Sequence, residues 1–417
     1  MRLKKKIKIG IIGLGYVGLP LFLLFSKKFT VYGYEKDQKK IDLLNKNKSY
    51  LSDVKNSELN NINKNYLHIK NYSTLSECDY IVYTLPTPIK NLKPDLSEYN
   101  KSIKETFKYL TKGQTLIFES TVYPGATEDI FFSNLKNRYV VGKDIFLCFS
   151  PERVDPGIKK NKIKYKKIPK LISGKTSQCK KNILKLYSKF FDQTYMCSSI
   201  KEAECAKVLE NTFRYINISF VNEFKMICDK LKIDPNNVIK ASSTKPYGFK
   251  AFKPGPGIGG HCIPVDPFYL KWVAEKNGIE TKLIDTSNKI NKNLNSWIFN
   301  KINFHLKNIS NVLVVGLAYK KNINDVRESP ALKIYKYLIK KKNIITHYHD
   351  PFIKEINIKN KIFRSIDINK IKKVDVALIL TNHDKVNYKK IFRISKKILD
   401  SRDVYFKENK HEKIIAI

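Results

Sequence analysis

Acidic residues are scarce in this chain: 38 Asp and Glu stand against 79 Lys and Arg, a formal net charge of +41. Such a surplus usually points to nucleic acid or an anionic surface. Here, however, the lysines run through the whole chain beside abundant Asn and Ile, three residues with A/T-rich codons, and no RNA- or DNA-binding motif accompanies them. The excess reads as the bias of an AT-rich genome plus a solvated surface that attracts phosphates, and no nucleic-acid partner is expected. Paired cysteines are missing too. Cys78, Cys148, Cys179, Cys197, Cys205, Cys228 and Cys262 are odd in number and include no CxxC. That argues against a disulfide framework or a zinc site, so no metal is expected, and for a reducing cytosol. Long apolar runs are absent beyond the N-terminus, where "MRLKKKIKIGIIGLGYVGLPLFLLFSKK" has the basic start and apolar stretch of a signal peptide. Its glycines fall at nucleotide-fingerprint spacing and no small-residue cleavage site follows. No other segment approaches the ~18 apolar residues needed to span a bilayer. The chain reads as cytoplasmic, without a membrane partner.

At 417 residues the chain exceeds one ordinary core, so two or three domains are expected. The run IKIGII (7–12) predicts a strand, followed by GLGYVG and an apolar helix to about Lys27. TVYGYE predicts a second strand ending at Glu35, and DYIVYTL (79–85), TLIFEST (115–121) and DIFLCFS (144–150) add three more. Strands alternating with helical patterns mean a doubly wound parallel sheet. The pattern then changes. Ser199 and Glu202 stand at capping-box spacing. Beyond them Ala206, Leu209, Phe213, Ile216, Phe220, Phe224, Ile227 and Leu231 recur at steps of three and four, one apolar stripe of a long helix. Pro235 starts the next short helix, and the long helix is expected to be the spine of a central helical domain. From about residue 311 strand–helix alternation resumes through NVLVVGLAY, SPALKIYKYLIKK, IITHYHDP, KVDVALILTNH and KKILDSRD. This last part lacks GxGxxG, which makes it a poor candidate for a second site of the GLGYVG kind. The expected class is α/β: an N-terminal Rossmann domain (1–197), a central long-helix domain (198–300) and a C-terminal Rossmann-like nucleotide-binding domain (301–417).

Gly13, Leu14, Gly15, Tyr16, Val17 and Gly18 follow a strand and open a helix. The first glycine makes the turn, the second admits a pyrophosphate to the backbone, and the third lets helix and strand pack. The helix N-terminus adds N–H groups and a positive dipole. Glu35 ends the next strand about 20 residues on, where a carboxylate binds the ribose 2′-OH and would repel a 2′-phosphate. NAD is therefore expected over NADP. Lys207, Asn211 and Arg214 fall at i, i+4 and i+7 on the long helix, a polar stripe beside the apolar one. It is either a solvated face or a row of side chains reaching into a cleft, and spacing does not decide. Cys262 lies in KPGPGIGGHCIPVDP (253–267) with Asp266 four positions on. A thiol there is either a small core residue or a nucleophile presented by a tight loop. His261 is a poor base partner, since adjacent side chains diverge in an extended loop.

In order along the chain stand the NAD fingerprint, FESTVYPG (118–125), SPERVDPG (150–157), AKVLENTFR (206–214), GPGIGGHCIPVDP (255–267) and GLAYKKNINDVRESPA (316–331). Over nearly its whole length the chain resembles the UDP-glucose/GDP-mannose dehydrogenase family. GGHCIPVDP and PTPIKNLKPDLS (86–97) look most like the branch acting on UDP-N-acetylhexosamines, which supplies uronic acids for surface polysaccharides of the Vi type. The resemblance implies two successive NAD-dependent oxidations at C6 of the sugar, alcohol to aldehyde to acid. It makes Cys262 the nucleophile that traps the aldehyde, because an aldehyde has no hydride to give until something adds to its carbon. Glycine-lined backbone would let C6 approach closely. By the same resemblance Lys207 stabilises oxyanions and assists proton transfer, Asn211 orients the oxygen, and Asp266 works with the lysine and a water. Thr121 and Glu152 match the residues that place this water, with Glu152 as the base for thioester hydrolysis. Glu35 and Lys40 match the adenosine-ribose positions; Thr87 and Thr121 fall among the cofactor contacts, and Arg327 matches an arginine that reaches the cofactor. Tyr319 and Lys320 fall where UDP is held, and Arg153, Arg214, Lys253 and Gly259 match substrate contacts. A homodimer through the central helix is also implied.

Two departures bear on the substrate. Val265 stands where the UDP-glucose enzymes have a lysine, and STKPYGFKAF (243–252) does not match the sugar-contacting segment of the UDP-N-acetylmannosamine enzymes. UDP-GlcNAc or UDP-GalNAc is the expected substrate, ahead of UDP-N-acetylmannosamine or UDP-glucose. A two-electron dehydrogenase of the 3-hydroxyacid type would suit a Lys-x-x-x-Asn helix, but would need neither Cys262 nor a third domain. A basic nucleic-acid-binding protein with a vestigial Rossmann domain would not need Lys207, Asn211, Cys262 and Asp266 together.

Overall fold

In the first strand, Lys8–Ile12, Ile9 and Ile11 enter one core while Ile12 enters another on the opposite face of the sheet. A strand apolar on both faces belongs inside a sheet covered on both sides. The structure, a computed structural model, describes residues 6–51, 53–60, 62, 66–68, 71–135, 138–154, 168–306, 311–405 and 411–417. The chain forms two compact units, Met1–Glu210 with Phe268–Ile279, and Asn211–Pro267 with Glu280–Ile417.

The sheet of the first unit runs Thr194–Met196, Lys170–Gly174, Phe146–Phe149, Thr115–Phe118, Tyr80–Tyr83, Lys8–Ile12, Thr30–Tyr34, Leu67–His68. All neighbours are parallel except Phe146–Phe149 against Lys170–Gly174, where Cys148 faces Gly174 in antiparallel register. The order reverses between Lys8–Ile12 and Tyr80–Tyr83, so the turns after these two strands form a crevice at their carboxyl ends. All five strands expected here are present; Leu67–His68, Lys170–Gly174 and Thr194–Met196 are additions.

The second unit holds an all-parallel sheet in the order Ile345–His349, Asn311–Val315, Val374–Ile379, Ser395–Asp400, Ile414–Ala416. Val312 and Val314 enter one core, Leu313 and Val315 the other. Pro330 is the first residue of the helix Pro330–Leu338, where its missing N–H costs nothing. An antiparallel hairpin, Glu355–Ile358 with Lys361–Arg364, is not evident from composition. Its turn residues Lys359 and Asn360 both take positive φ (49° and 63°), as a two-residue hairpin demands.

The long helix spans Ile200–Leu231. Ser199 Oγ accepts the Glu202 N–H as a cap, but the Glu202 carboxylate reaches back to the N–H and hydroxyl of Ser198 rather than to Ser199. The apolar stripe is only partly a core stripe: Leu209, Phe213, Phe220, Ile227 and Leu231 are exposed, Phe220 by 61% and Leu231 by 62%. Lys207 and Asn211, in the polar stripe, are buried instead. Among the described residues no helix is long and apolar enough to cross a membrane.

Candidate active site

The first unit builds a turn that fits a dinucleotide. Gly13 takes φ +92° and accepts the Thr84 hydroxyl at 2.6 Å, tying the glycine turn to the end of Tyr80–Tyr83. A Cβ on Gly18 would lie 1.8 Å from the Gly13 carbonyl oxygen, so only glycine closes this turn, whereas a Cβ on Gly15 meets nothing within 4 Å. The second glycine thus faces open space where a pyrophosphate would approach. Leu14 is buried and Tyr16 and Val17 half-buried in the same turn. Glu35 is buried; its Oε2 accepts the Leu14 N–H and the Lys40 ammonium, each at 3.1 Å. Its Oε1 accepts the N–H groups of Lys36 and Asp37. Thr87 donates its hydroxyl to the Thr121 carbonyl at 2.6 Å, joining the loops after Tyr80–Tyr83 and Thr115–Phe118.

The loop after Phe146–Phe149 carries Glu152 and Arg153. Glu152 Oε1 accepts the N–H groups of Arg153 and Val154 (2.8 and 2.6 Å), and Oε2 faces the Lys170 ammonium at 3.4 Å. Arg153 is held by Glu210 (2.5 Å) and the Pro169 carbonyl (2.9 Å). Its assigned motif continues into residues 155–157, which lie outside the described residues. Lys207, on the first half of the long helix, has no hydrogen-bond or ion-pair partner among the described residues.

In the second unit Asn211 donates its side-chain amide to Asp266 Oδ2 at 2.5 Å, and both are buried. Asp266 opens the helix Asp266–Lys276, and its N–H, like that of Val265, returns to the Cys262 carbonyl. That turn sets the half-buried Cys262 one helical turn ahead of Asp266. Protein takes up the space that the preceding glycines leave. A Cβ on Gly259 would sit 2.6 Å from Tyr319 Cβ, and one on Gly260 (φ +90°) 2.8 Å from the Tyr319 ring. The Gly260 N–H also donates to the Arg327 carbonyl. These glycines therefore admit Tyr319, and the expected room for C6 is not visible at them.

Arg327 itself forks onto Asp325, at 2.6 Å for the shortest contact, and is about half exposed. Lys320 and Arg214 are half-buried and Lys253 is exposed. The loop bearing Tyr319 and Lys320 is fixed from below. Asp350 accepts the N–H groups of Leu317, Ala318, Phe352 and Ile353, and lies 3.1 Å from His383 Nε2. His383 Nδ1 accepts the Asn322 N–H, which leaves the ring proton on Nε2, facing Asp350. Asp350 stands to Leu317 as Glu35 stands to Leu14, and protein donors occupy both oxygens of each.

Several buried charges were not singled out from the sequence. Lys170 and Glu119 pair at 2.7 Å with side chains 4% and 0% exposed. Glu204, on the long helix, accepts the N–H groups of Gly125 (2.5 Å) and Thr127 (2.9 Å), and burial pushes its carboxyl up to about 7. Lys225 lies buried over the Trp297 ring. Glu119 lies inside FESTVYPG, so that motif was the one available pointer. No group of three or more His, Cys, Asp and Glu among the described residues could hold a metal.

Three family models match consecutive parts of the chain, all described as UDP-glucose/GDP-mannose dehydrogenase family: the NAD binding domain over residues 7–191, the central domain over 201–293 and the UDP binding domain over 313–407. Protein CapL of Staphylococcus aureus is 37% identical over 90% of this chain and 89% of its own length. The UDP-N-acetyl-D-glucosamine 6-dehydrogenase of Pseudomonas aeruginosa is 35% identical over 84% of each chain. Among solved structures, the UDP-D-ManNAc dehydrogenase from Pyrococcus horikoshii superimposes with a TM-score of 0.86, at 25% identity and 99% coverage of both chains.

Proposed function

The chain belongs to the UDP-glucose/GDP-mannose dehydrogenase family and is an NAD-dependent oxidoreductase of UDP-sugars; from that premise we propose that it oxidises C6 of UDP-GlcNAc or UDP-GalNAc to the uronic acid, with Cys262 as acyl carrier. The observation that carries this reading is the buried Asn211–Asp266 pair, one helical turn beyond Cys262.

Two NAD molecules in turn, each held by the Gly13–Gly18 turn and Glu35, would each accept one hydride per sugar. The chain's own residues supply the rest. Lys207, a cation without a carboxylate partner among the described residues, stabilises the oxyanion at C6, and Asn211 orients that oxygen. A charge aimed at a developing oxyanion in a dry site lowers the barrier by a few kcal/mol. Asp266 receives the alcohol proton through water. The Cys262 thiolate then adds to the aldehyde carbon; loss of the second hydride leaves a thioester, and water placed by Thr121 and Glu152 releases the acid and restores the thiol. Arg327 would have to leave Asp325 to reach the cofactor, and Arg153, Arg214, Lys253, Gly259, Tyr319 and Lys320 complete the UDP-sugar contacts.

The exposed Leu209, Phe213, Phe220, Ile227 and Leu231 support a homodimer through the long helix, since such a stripe on a monomer marks an interface. All seven cysteines are free thiols, in keeping with the cytoplasm, and the uronic acid would serve surface polysaccharide synthesis. The runner-up substrate is UDP-N-acetylmannosamine, favoured by the likeness to the Pyrococcus horikoshii enzyme. A panel of UDP-sugars with NADH counted per sugar decides between them. Two NADH and an acid from UDP-GlcNAc or UDP-GalNAc are expected; a stable ketone or aldehyde at one NADH overturns the reading.

A further inference from the structure

We propose that Tyr50 is a positioning residue for NAD: its hydroxyl fixes the Leu14–Gly15 peptide so that the Gly15 N–H faces the pyrophosphate. The proposal rests on the reading above, in which the Gly13–Gly18 turn holds the cofactor.

The two peptides that open this turn are held differently. The Gly13 carbonyl accepts the Thr84 hydroxyl at 2.6 Å, and the Leu14 N–H of the same peptide donates to Glu35 Oε2 at 3.1 Å. Protein thus occupies both sides of the first peptide. In the second, the Leu14 carbonyl accepts the Tyr50 hydroxyl at 2.5 Å, while the Gly15 N–H has no protein acceptor among the described residues. In a planar trans peptide the N–H points away from the C=O, so a carbonyl turned to Tyr50 turns the N–H the opposite way. A Cβ on Gly15 would meet nothing within 4 Å, which leaves this stretch of backbone open to a phosphate.

Gly15 is the reason a clamp is needed. Without a Cβ it takes positive and negative φ about equally well, so its own backbone does not set the peptide before it. Packing fixes Gly18, whose Cβ would lie 1.8 Å from the Gly13 oxygen; no such contact fixes Gly15. The orientation comes instead from Tyr50, 36 residues beyond Leu14. Tyr50 is itself held in place. The Lys40 ammonium lies 5.6 Å from its ring centroid and pairs with Glu35 Oε2 at 3.1 Å. Burial, with Glu35 and Asp37 nearby, pushes the Tyr50 hydroxyl up, so it keeps its proton and stays a donor at neutral pH. An unclamped peptide could turn its carbonyl toward the diphosphate, trading an N–H donor for a repelling oxygen.

The test measures binding of NAD, ADP-ribose and adenosine to the full-length protein by calorimetry. Tyr50→Phe removes the hydroxyl and keeps the ring beside Lys40. NAD and ADP-ribose, which carry the diphosphate, are expected to weaken alike by roughly tenfold, as for one lost hydrogen bond. Adenosine, which lacks the diphosphate, should bind as to the wild type. In steady state KM for NAD should rise while kcat and KM for the UDP-sugar stay put. Equal weakening of all three ligands, or wild-type affinity for NAD, overturns the inference. A loss seen only in Tyr50→Leu assigns the effect to the ring and overturns it as well. Gly15→Ala separates the inference from the reading beneath it. Weakened NAD in Gly15→Ala beside an unaffected Tyr50→Phe sinks only the role of Tyr50. NAD unimpaired in Gly15→Ala sinks the placement of the cofactor at this turn, and this inference with it.

Discussion

The side-chain amide of Asn211 donates to the buried carboxylate of Asp266 at 2.5 Å, joining the middle of the long helix to the first residue of the helix that follows Cys262. Asp266→Asn keeps the shape and removes the charge and proton acceptor. Turnover is expected to fall by roughly 10²–10⁴-fold, the usual range for a lost acid–base group, while KM for the UDP-sugar stays within a few-fold. Steady-state NADH production measures both, and turnover within threefold of the wild type would remove Asp266 from the mechanism.

Cys262→Ala should abolish acid formation and leave NAD affinity nearly intact, since the thiol is proposed to act on C6 and not on the pyrophosphate. Product analysis with NAD titration by fluorescence checks this. Full acid production by the variant is incompatible with a covalent intermediate.

The glycine turn separates folding from binding. Gly18→Ala forces a Cβ to within 1.8 Å of the Gly13 oxygen, so the variant should lose thermal stability as well as NAD binding. Gly15→Ala meets nothing within 4 Å and should fold normally, but weaken NAD by about tenfold or more because the methyl group faces the approach of the pyrophosphate. Melting curves with and without NAD distinguish the two; an undiminished NAD-induced shift in Gly15→Ala contradicts the assigned approach.

Lys225 and Glu204 make stability depend on pH in opposite directions. Burial, with Arg402 and Lys301 nearby, pushes the Lys225 amine down to about 7, against 10.5 in the unfolded chain. Between those values the unfolded chain binds a proton that the folded one lacks, so this contribution strengthens folding as pH rises from 7 to 10.5 and is weakest below 7. Glu204, raised to about 7 from 4.5, is protonated in the fold before it is in the unfolded chain, so its contribution weakens as pH rises from 4.5 to 7. Lys225→Met should stabilise the protein at pH 6 by on the order of 2 kcal/mol and flatten the slope above pH 7. Urea denaturation at pH 6, 7.5 and 9 reads this out, and a slope identical to the wild type's refutes it.

Phe220→Glu places a charge in the exposed stripe without entering a core. Light scattering should show the dimer giving way to monomer with circular dichroism unchanged. A variant that keeps its wild-type mass rules this face out as the interface.

Sequence alone determined whatever depends on consecutive residues. The GLGYVG turn, the placement of Glu35 after the second strand and Pro330 at a helix start follow from local backbone geometry, and spacing along one helix brings Lys207 and Asn211 to a common stripe. Tertiary structure decided which side of each element meets protein. Periodicity grouped Leu209, Phe220 and Leu231 on one face, yet that face is exposed while Asn211 is buried, because burial depends on distant neighbours. The same holds for Gly259 and Gly260, whose missing side chains admit Tyr319, and for Lys170, whose partner Glu119 lies 51 residues away. A buried charge leaves no period in a sequence; only the chain's return past it shows what it holds.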